Sequence, residues 1–230
     1  MRPERALLSL AVAVKEDTLV VHEIYRSVQG ESSFAGTPCT FVRLTGCNLR
    51  CSWCDTPQAF HGGTRMSRAD VFARALELET PLVELTGGEP LLQPAALPLL
   101  RELCDAGKTV LVETSGEADV SGVDRRVHKI MDLKAPGSGE SHRNRWSNLE
   151  HIGRGDELKF VLDGRGDYEW MRSVIRERSL AQNGCVLLAS PVFGVLDPQV
   201  LVAWLLEDQL PVRLNLQLHK YVWGRDTQGV

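Results

Sequence analysis

Cys47-Asn48-Leu49-Arg50-Cys51-Ser52-Trp53-Cys54 places three cysteines within eight residues, spaced C-x3-C-x2-C, with an aromatic residue before the last. Three thiolates hold three corners of an iron–sulfur cube and leave the fourth iron open to a reactant, which a fully capped electron-transfer cluster does not offer. A structural zinc site is the competing reading, but such sites are closed by four ligands and favour paired C-x2-C knuckles. The fourth ligand would be Cys39, Cys104, Cys185 or a distant histidine, and none lies in a second knuckle. His22, His61, His128, His142 and His151 form no metal-ligand pattern. Six cysteines in 230 residues is not the density of a disulfide-stapled domain. Cys104 and Cys185 sit in apolar patterns, where a free cysteine behaves as a small core residue.

Outward from this stretch, strand-like and helix-like segments alternate. Extended segments are expected at Thr18–Ile24, Thr40–Leu44, Leu82–Leu85, Thr109–Val112, Lys129–Leu133, Leu158–Leu162 and Val186–Ala189. A last one is expected at Val212–Leu218. Helices are expected from Ser67, an N-cap, to Glu79, then over Ala95–Ala106, Asp167–Leu180 and Pro198–Leu206. The alternation predicts an α/β fold with a parallel sheet, doubly wound or barrel-like. In such folds reactive groups collect at the carboxyl ends of strands. The cysteine loop, Gly87-Gly88-Glu89-Pro90, Glu113-Thr114-Ser115-Gly116, Asp132-Leu133-Lys134 and Ser190-Pro191 all fall there. Six βα units are too few for an eight-fold barrel, so an incomplete (βα)6-type barrel with an open side is expected.

Length suits one domain over residues 1–230, with a core at 17–221 and a tail at 222–230. Hydrophobic content of 43% and charged content of 24% suit an enzyme with a real core, and a net charge of −4 gives no footprint for nucleic acid. The apolar run Ala6–Val14 is too short for a membrane span and lacks a small-residue cleavage site, so no membrane partner is expected. Thiols kept reduced fit a cytoplasmic location. The polar stretch Pro136–Ile152 reads as a mobile loop that closes over the site or meets a second subunit.

The cysteine loop followed by the Gly-Gly-Glu-Pro turn resembles the radical S-adenosylmethionine superfamily. That resemblance implies a 4Fe–4S cluster on Cys47, Cys51 and Cys54, with S-adenosylmethionine chelating the open iron and yielding a 5′-deoxyadenosyl radical. Further segments narrow it: Val28-Gln29-Gly30-Glu31-Ser32, Arg43, Cys54-Asp55-Thr56, Leu85-Thr86-Gly87-Gly88, Glu113-Thr114-Ser115-Gly116, Asp132-Leu133-Lys134 and Gln217-Leu218-His219-Lys220-Tyr221. Together these resemble the 7-carboxy-7-deazaguanine synthases, from about Glu23 to Tyr221. The family rearranges 6-carboxy-5,6,7,8-tetrahydropterin to 7-carboxy-7-deazaguanine with loss of ammonia, on the route to queuosine and other 7-deazapurines.

By that resemblance Val28, Gln29, Gly30, Glu31, Arg43, Thr86 and His219 bind substrate. Trp53, Cys54, Asp55, Gly88, Glu89, Ser115, Asp132, Leu133, Lys134 and Ser190 hold S-adenosylmethionine, and Thr56 holds Mg2+. It also implies a homodimer and a flavodoxin- or ferredoxin-like electron donor. The residue chemistry agrees. Gln29 offers a donor and an acceptor to a flat amide-like edge, Glu31 accepts from an exocyclic amine, and Arg43 pairs with a carboxylate. Each has a plainer reading: a structural salt bridge for Arg43, a capped turn for Gln29-Gly30-Glu31, a brace of the cysteine loop for Thr56, and a core hydrogen bond for His219. A glycyl-radical activating enzyme shares the compact cysteine motif, but it leaves the Gln-Gly-Glu and Gln-x-His-Lys elements without a role. The spacing here is compact, whereas some members of the family carry an insertion between the first two cluster cysteines.

Overall fold

A computed structural model describes residues 17–225 and 227–229. The Ala6–Val14 run lies outside them. One nine-stranded sheet has the order β3-β1-β2-β4-β5-β6-β7-β8-β9. It starts antiparallel, with β1 (Thr18–Val28) pairing on one side with β2 (Pro38–Leu44) and on the other with β3 (Thr64–Ser67). From β2 onward every pairing is parallel, through β4 (Leu82–Gly87), β5 (Thr109–Thr114), β6 (His128–Asp132), β7 (Glu157–Leu162), β8 (Val186–Pro191) and the short β9 (Arg213–Leu214). The order ends at β3 and β9, which do not pair with each other, so the expected barrel is partial.

Helices α1 (Arg68–Glu77), α2 (Ala96–Asp105), α3 (Arg165–Glu177) and α4 (Pro198–Asp208) cover the outside. As expected, Ser67 caps α1, its hydroxyl accepting from the Asp70 amide at 3.0 Å. Side chains alternate along the strands with period two. The outward set, including Val83, Leu85, Val110, Val112, Leu158, Phe160 and Leu162, is buried against the helices. The inward set begins with an apolar floor of Cys39, Phe41, Leu82, Leu111 and Ile130. The next inward positions are polar: Glu84 and Thr86 on β4, Glu113 on β5, Asp132 on β6 and Lys159 on β7. This change of polarity turns a packed barrel into a site.

Two expectations change. Val212–Leu218 is not a strand throughout: only Arg213 and Leu214 pair with β8, and Leu218–Val222 forms a short helix, α5. The Leu218 amide donates to the Gly30 carbonyl at 2.7 Å, which turns the chain back across the barrel mouth. Pro136–Ile152 is a series of packed 3-10 turns, not an open loop. Asn144 and Asn148 hold it, Asn144 bonding both backbone groups of Lys134 and Asn148 donating to the carbonyls of Gly116 and Ala118.

Candidate active site

A cavity of about 460 Å³ opens at the carboxyl ends of the strands. One wall carries Cys47, Cys51, Trp53, Cys54, Asp55 and Thr56; facing it are Val28, Gln29, Gly30, Glu31 and His219. Arg43, Thr86, Gly88, Ser115, Asp132, Lys134 and Ser190 line it between the two. Residues spread over almost the whole sequence thus meet in one space.

The cysteine wall has no regular secondary structure and is fixed by its neighbours. The Gly46 amide donates to the Ala59 carbonyl, and the Glu89 amide to the Gly46 carbonyl, each at 2.8 Å. Glycine is required at 88 because a Cβ there would lie 2.3 Å from the Gly46 carbonyl oxygen and 2.7 Å from Cys47 Cβ. Ser52, between the second and third cysteines, donates its amide to the Ser138 carbonyl at 3.0 Å, and Arg50 donates its amide to Glu140 at 2.6 Å. Burial pushes the Cys51 thiol up to about 11 and raises Cys47 as well, so these sulfurs carry protons until a metal displaces them. Among the described residues no three His, Cys, Asp or Glu side chains are grouped to hold a single ion, the arrangement a zinc site needs. A cluster assigns one iron to each thiolate, so its cysteines need not converge.

Beyond the cysteines, Lys134 donates to Asp132 Oδ2 at 2.7 Å, while Asp132 Oδ1 is buried with no hydrogen-bond partner. An orphaned carboxylate oxygen beside three thiols suits a ligand that brings its own ammonium or hydroxyl groups. Ser190 Oγ accepts from Asn215 at 2.8 Å. Thr56 Oγ1 lies 3.4 Å from the Gly87 carbonyl, a long contact that leaves the hydroxyl disposed toward the cavity.

Two expected cofactor residues stand behind the wall. Glu89 is 1% exposed, and its carboxylate accepts from the Ser115 amide at 2.7 Å, Ser115 Oγ at 2.6 Å, Thr114 Oγ1 and the Leu91 amide. It ties the glycine turn to the end of β5 and has no capacity for an ammonium group. Leu133 is packed in the core, and its amide donates to the Lys159 carbonyl at 2.8 Å.

The opposite wall is a charged network. Lys159 donates to Glu31 Oε2 at 2.8 Å and also contacts Glu113 Oε1. Burial would raise Glu31, but the Lys159 charge and hydrogen bond outweigh it and hold the carboxyl below its ordinary value. Burial likewise opposes the Lys159 charge, yet Glu113 and Glu31 keep it well above the usual lysine range. Glu84 goes the other way: burial, reinforced by the Glu113 charge, raises it well above a normal carboxyl, favouring the protonated acid.

Gln29 is held at both ends of its amide, the nitrogen donating to Glu84 and the oxygen accepting from the Glu31 amide at 2.5 Å. The Arg43 guanidinium donates to Glu23 at 2.7 Å and to the Tyr25 hydroxyl at 2.9 Å while still lining the cavity. The structural salt bridge is present, and the side chain still faces the cavity. His219 sits against Gly30, where a Cβ would fall 2.1 Å from Nδ1; burial lowers its pKa, favouring neutral imidazole.

Glu113 lies in the Glu113-Thr114-Ser115-Gly116 segment but is given no role there, while Glu84 and Lys159 also line the cavity and lie outside the quoted motifs. Their signal is a charge inside an apolar strand, as in Leu82-Val83-Glu84-Leu85 and Leu158-Lys159-Phe160. Such a position faces a polar cavity or an ion pair.

A partial barrel with three cysteines in the loop after β2 and a glycine turn after β4 defines a radical S-adenosylmethionine enzyme, and the family model described as Radical SAM superfamily matches residues 41–141. A 7-carboxy-7-deazaguanine synthase from Koribacter versatilis is 47% identical, the match covering 91% of this chain and 99% of that one. Another from Chlorobaculum tepidum is 46% identical over 94% and 99%. The crystal structure of QueE from Escherichia coli superimposes with a TM-score of 0.71, covering 88% of this chain and 95% of that one; at 23% identity it speaks for the fold. The chain belongs to the 7-carboxy-7-deazaguanine synthase family.

Proposed function

We infer that the chain converts 6-carboxy-5,6,7,8-tetrahydropterin to 7-carboxy-7-deazaguanine, releasing ammonia, in 7-deazapurine biosynthesis. The observation that carries this reading is the single cavity shared by the cysteine loop, the Gly87-Gly88 turn, Arg43 and the Glu31–Lys159 network. A reduced 4Fe–4S cluster with bound S-adenosylmethionine supplies the capacity to abstract a hydrogen atom. Cys47, Cys51 and Cys54 hold that cluster, and the orphaned Asp132 oxygen, Lys134, Ser115, Ser190 and the backbone at Gly88 hold the nucleoside and its amino-acid end.

The remaining residues orient substrate. Arg43, fixed by Glu23 and Tyr25, turns its unused N–H groups to the substrate carboxylate. Glu31 and Thr86 meet the ring, and Thr56 with substrate oxygens and waters forms the sparse shell Mg2+ accepts. His219, half-buried and favoured as neutral imidazole, is placed to take or give one proton at ring contraction. The activating-enzyme alternative requires a protein segment from a partner to reach the cluster, whereas here Gln217 and Lys220 of the same chain bond Asp55, the neighbour of Cys54.

A single domain, a second copy of the chain, a flavodoxin- or ferredoxin-like electron donor and a reducing cytoplasm complete the reading. Among the described residues no helix is long and apolar enough to cross a membrane. The test is anaerobic: reconstitute the cluster, add reductant, S-adenosylmethionine, Mg2+ and the carboxypterin, and assay the deazapurine. Product that depends on all of them is expected; an intact, reducible cluster that makes none overturns the reading.

A further inference from the structure

We propose that Lys159 is a specificity-determining positioning residue: it fixes Glu31 and Glu113 as a pair of hydrogen-bond acceptors that select a heterocycle bearing an exocyclic amino group. The proposal rests on the pteridine reading of the substrate. It starts from the state of Gln29, whose amide gives one N–H to Glu84 and accepts from the Glu31 backbone, so that its orientation is fixed. The side chain best suited on sequence grounds to read the ring edge therefore serves in part as a strut. The carboxylates of Glu31 and Glu113 are further acceptors in the cavity lining.

Carboxylates brought together in a buried site do not both stay ionised unless a cation lies between them, because like charges at short range drive one to keep its proton. Lys159 is that cation. Its ammonium contacts Glu31 Oε2 and Glu113 Oε1 from a position 5% exposed. The outer oxygens are oriented as well, Glu31 Oε1 accepting from Gln217 at 2.9 Å and Glu113 Oε2 from Thr86 at 3.3 Å. Each carboxylate oxygen has a second lone-pair direction, so the pair offers a rigid all-acceptor edge.

An all-acceptor edge suits an amino group and an adjacent ring N–H, and it repels a carbonyl oxygen in the same place. Discrimination of this kind, built on hydrogen bonding to a buried edge, reaches about 10⁴-fold in favourable sites. Without Lys159 the two carboxylates lose the contact that orients both of them, and the edge accepts an amino or an oxo group with less preference.

The experiment compares two ligands, the amino-substituted carboxypterin and its analogue with oxygen in place of that amino group. Dissociation constants are measured by calorimetry on the cluster-loaded protein, for wild type, Lys159→Met and Lys159→Arg. The expected result is an amino preference of about 100-fold or more in wild type that falls at least tenfold in Lys159→Met and is largely restored in Lys159→Arg. Should Lys159→Met not fold, Glu113→Gln carries the same test, because it converts one acceptor to a mixed donor and acceptor. An unchanged amino-to-oxo ratio in the folded variant overturns the proposal. Wild-type turnover is assayed alongside, so an unchanged ratio with active wild type refutes the role of Lys159 alone, and inactive wild type refutes the substrate.

Discussion

Lys220 reaches across 165 residues of sequence to Asp55, its ammonium 2.5 Å from Asp55 Oδ1, and so ties the last helix to the residue that follows the third cysteine. Gln217 completes the latch, donating to Asp55 Oδ2 at 2.6 Å and to Glu31 Oε1 at 2.9 Å. The cysteine loop, the Gln29–Glu31 turn and the Leu218–Val222 helix are thereby held in one hydrogen-bonded unit.

Lys220→Met is expected to uncouple that unit. Asp55 is about half exposed, so solvent recovers much of its charge, and the loss of stability stays near 1 kcal/mol. The kinetic loss is larger, about tenfold or more in kcat/KM, because displacing Gln217 and His219 misplaces substrate relative to the cluster. Steady-state kinetics with thermal melting of the same preparation checks the pair of effects; a fall in activity matched by an equal fall in folded fraction would show the latch to be structural only.

Gly30 is fixed by what lies over it. An alanine Cβ would sit 2.1 Å from His219 Nδ1 and 2.9 Å from its Cγ, so the imidazole must move. Gly30→Ala is expected to lower kcat/KM by about 10- to 100-fold through misplacement of that ring. Combined with His219→Ala it should add little, since two changes acting on one group are not additive. Multiplicative losses in the double variant would locate the effect of Gly30 elsewhere.

These contacts show where the sequence is readable and where it is silent. The cysteine spacing, the Gly87-Gly88 turn and the βα alternation are local, and each led to the carboxyl ends of the strands. The antiparallel β3, the helix at Leu218–Val222 and the packing of Pro136–Ile152 depend on distant partners: Thr64–Ser67 on β1, Leu218 on Gly30, Asn148 on Gly116. No periodicity within those segments encodes them. Residue type and motif do not show that Gln29 and Glu89 hydrogen-bond to Glu84, Ser115 and Thr114, partners which only the fold supplies. Lys159 and Glu84 were visible as charges within apolar strands, but their use required knowing which face of the strand turns inward.

Glu84 gives a pH signature of opposite sign to that of Glu31. Its folded-state pKa is raised, chiefly by burial, so above about pH 4.5 the unfolded chain gives up a proton that the folded chain keeps. Stability contributed at this position therefore falls as pH rises from 4.5 toward the folded value. Glu31, held lower by Lys159, contributes stability that is present above 4.5 and lost as pH drops through its folded value. Glu84→Gln keeps an acceptor for Gln29 and removes the ionisation. Urea unfolding of the metal-free protein should show the variant more favoured relative to wild type at pH 7.5 than at pH 4.5; a pH-independent difference would rule out a retained proton on Glu84.

Gly137 supports the cluster from outside the cavity. Its amide donates to Asp167 Oδ1 at 2.8 Å, its carbonyl accepts from Ser52 Oγ at 3.1 Å, and a Cβ would lie 2.6 Å from Asp163 Oδ2 and 2.7 Å from Asp167 Oδ2. Asp167 is 3% exposed at the start of α3, so that side cannot yield freely. Gly137→Ala must push the turn toward Ser52 and widen the Cys51–Cys54 segment. Overpacking of this kind costs about 1–3 kcal/mol. The strain should appear as cluster loss, with iron released to a chelator several-fold faster than from wild type. Ser52→Ala, which removes the hydroxyl contact without adding bulk, should show a smaller change in the same direction. Equal release rates for all three proteins would mean that the cysteine loop keeps its shape without this strut.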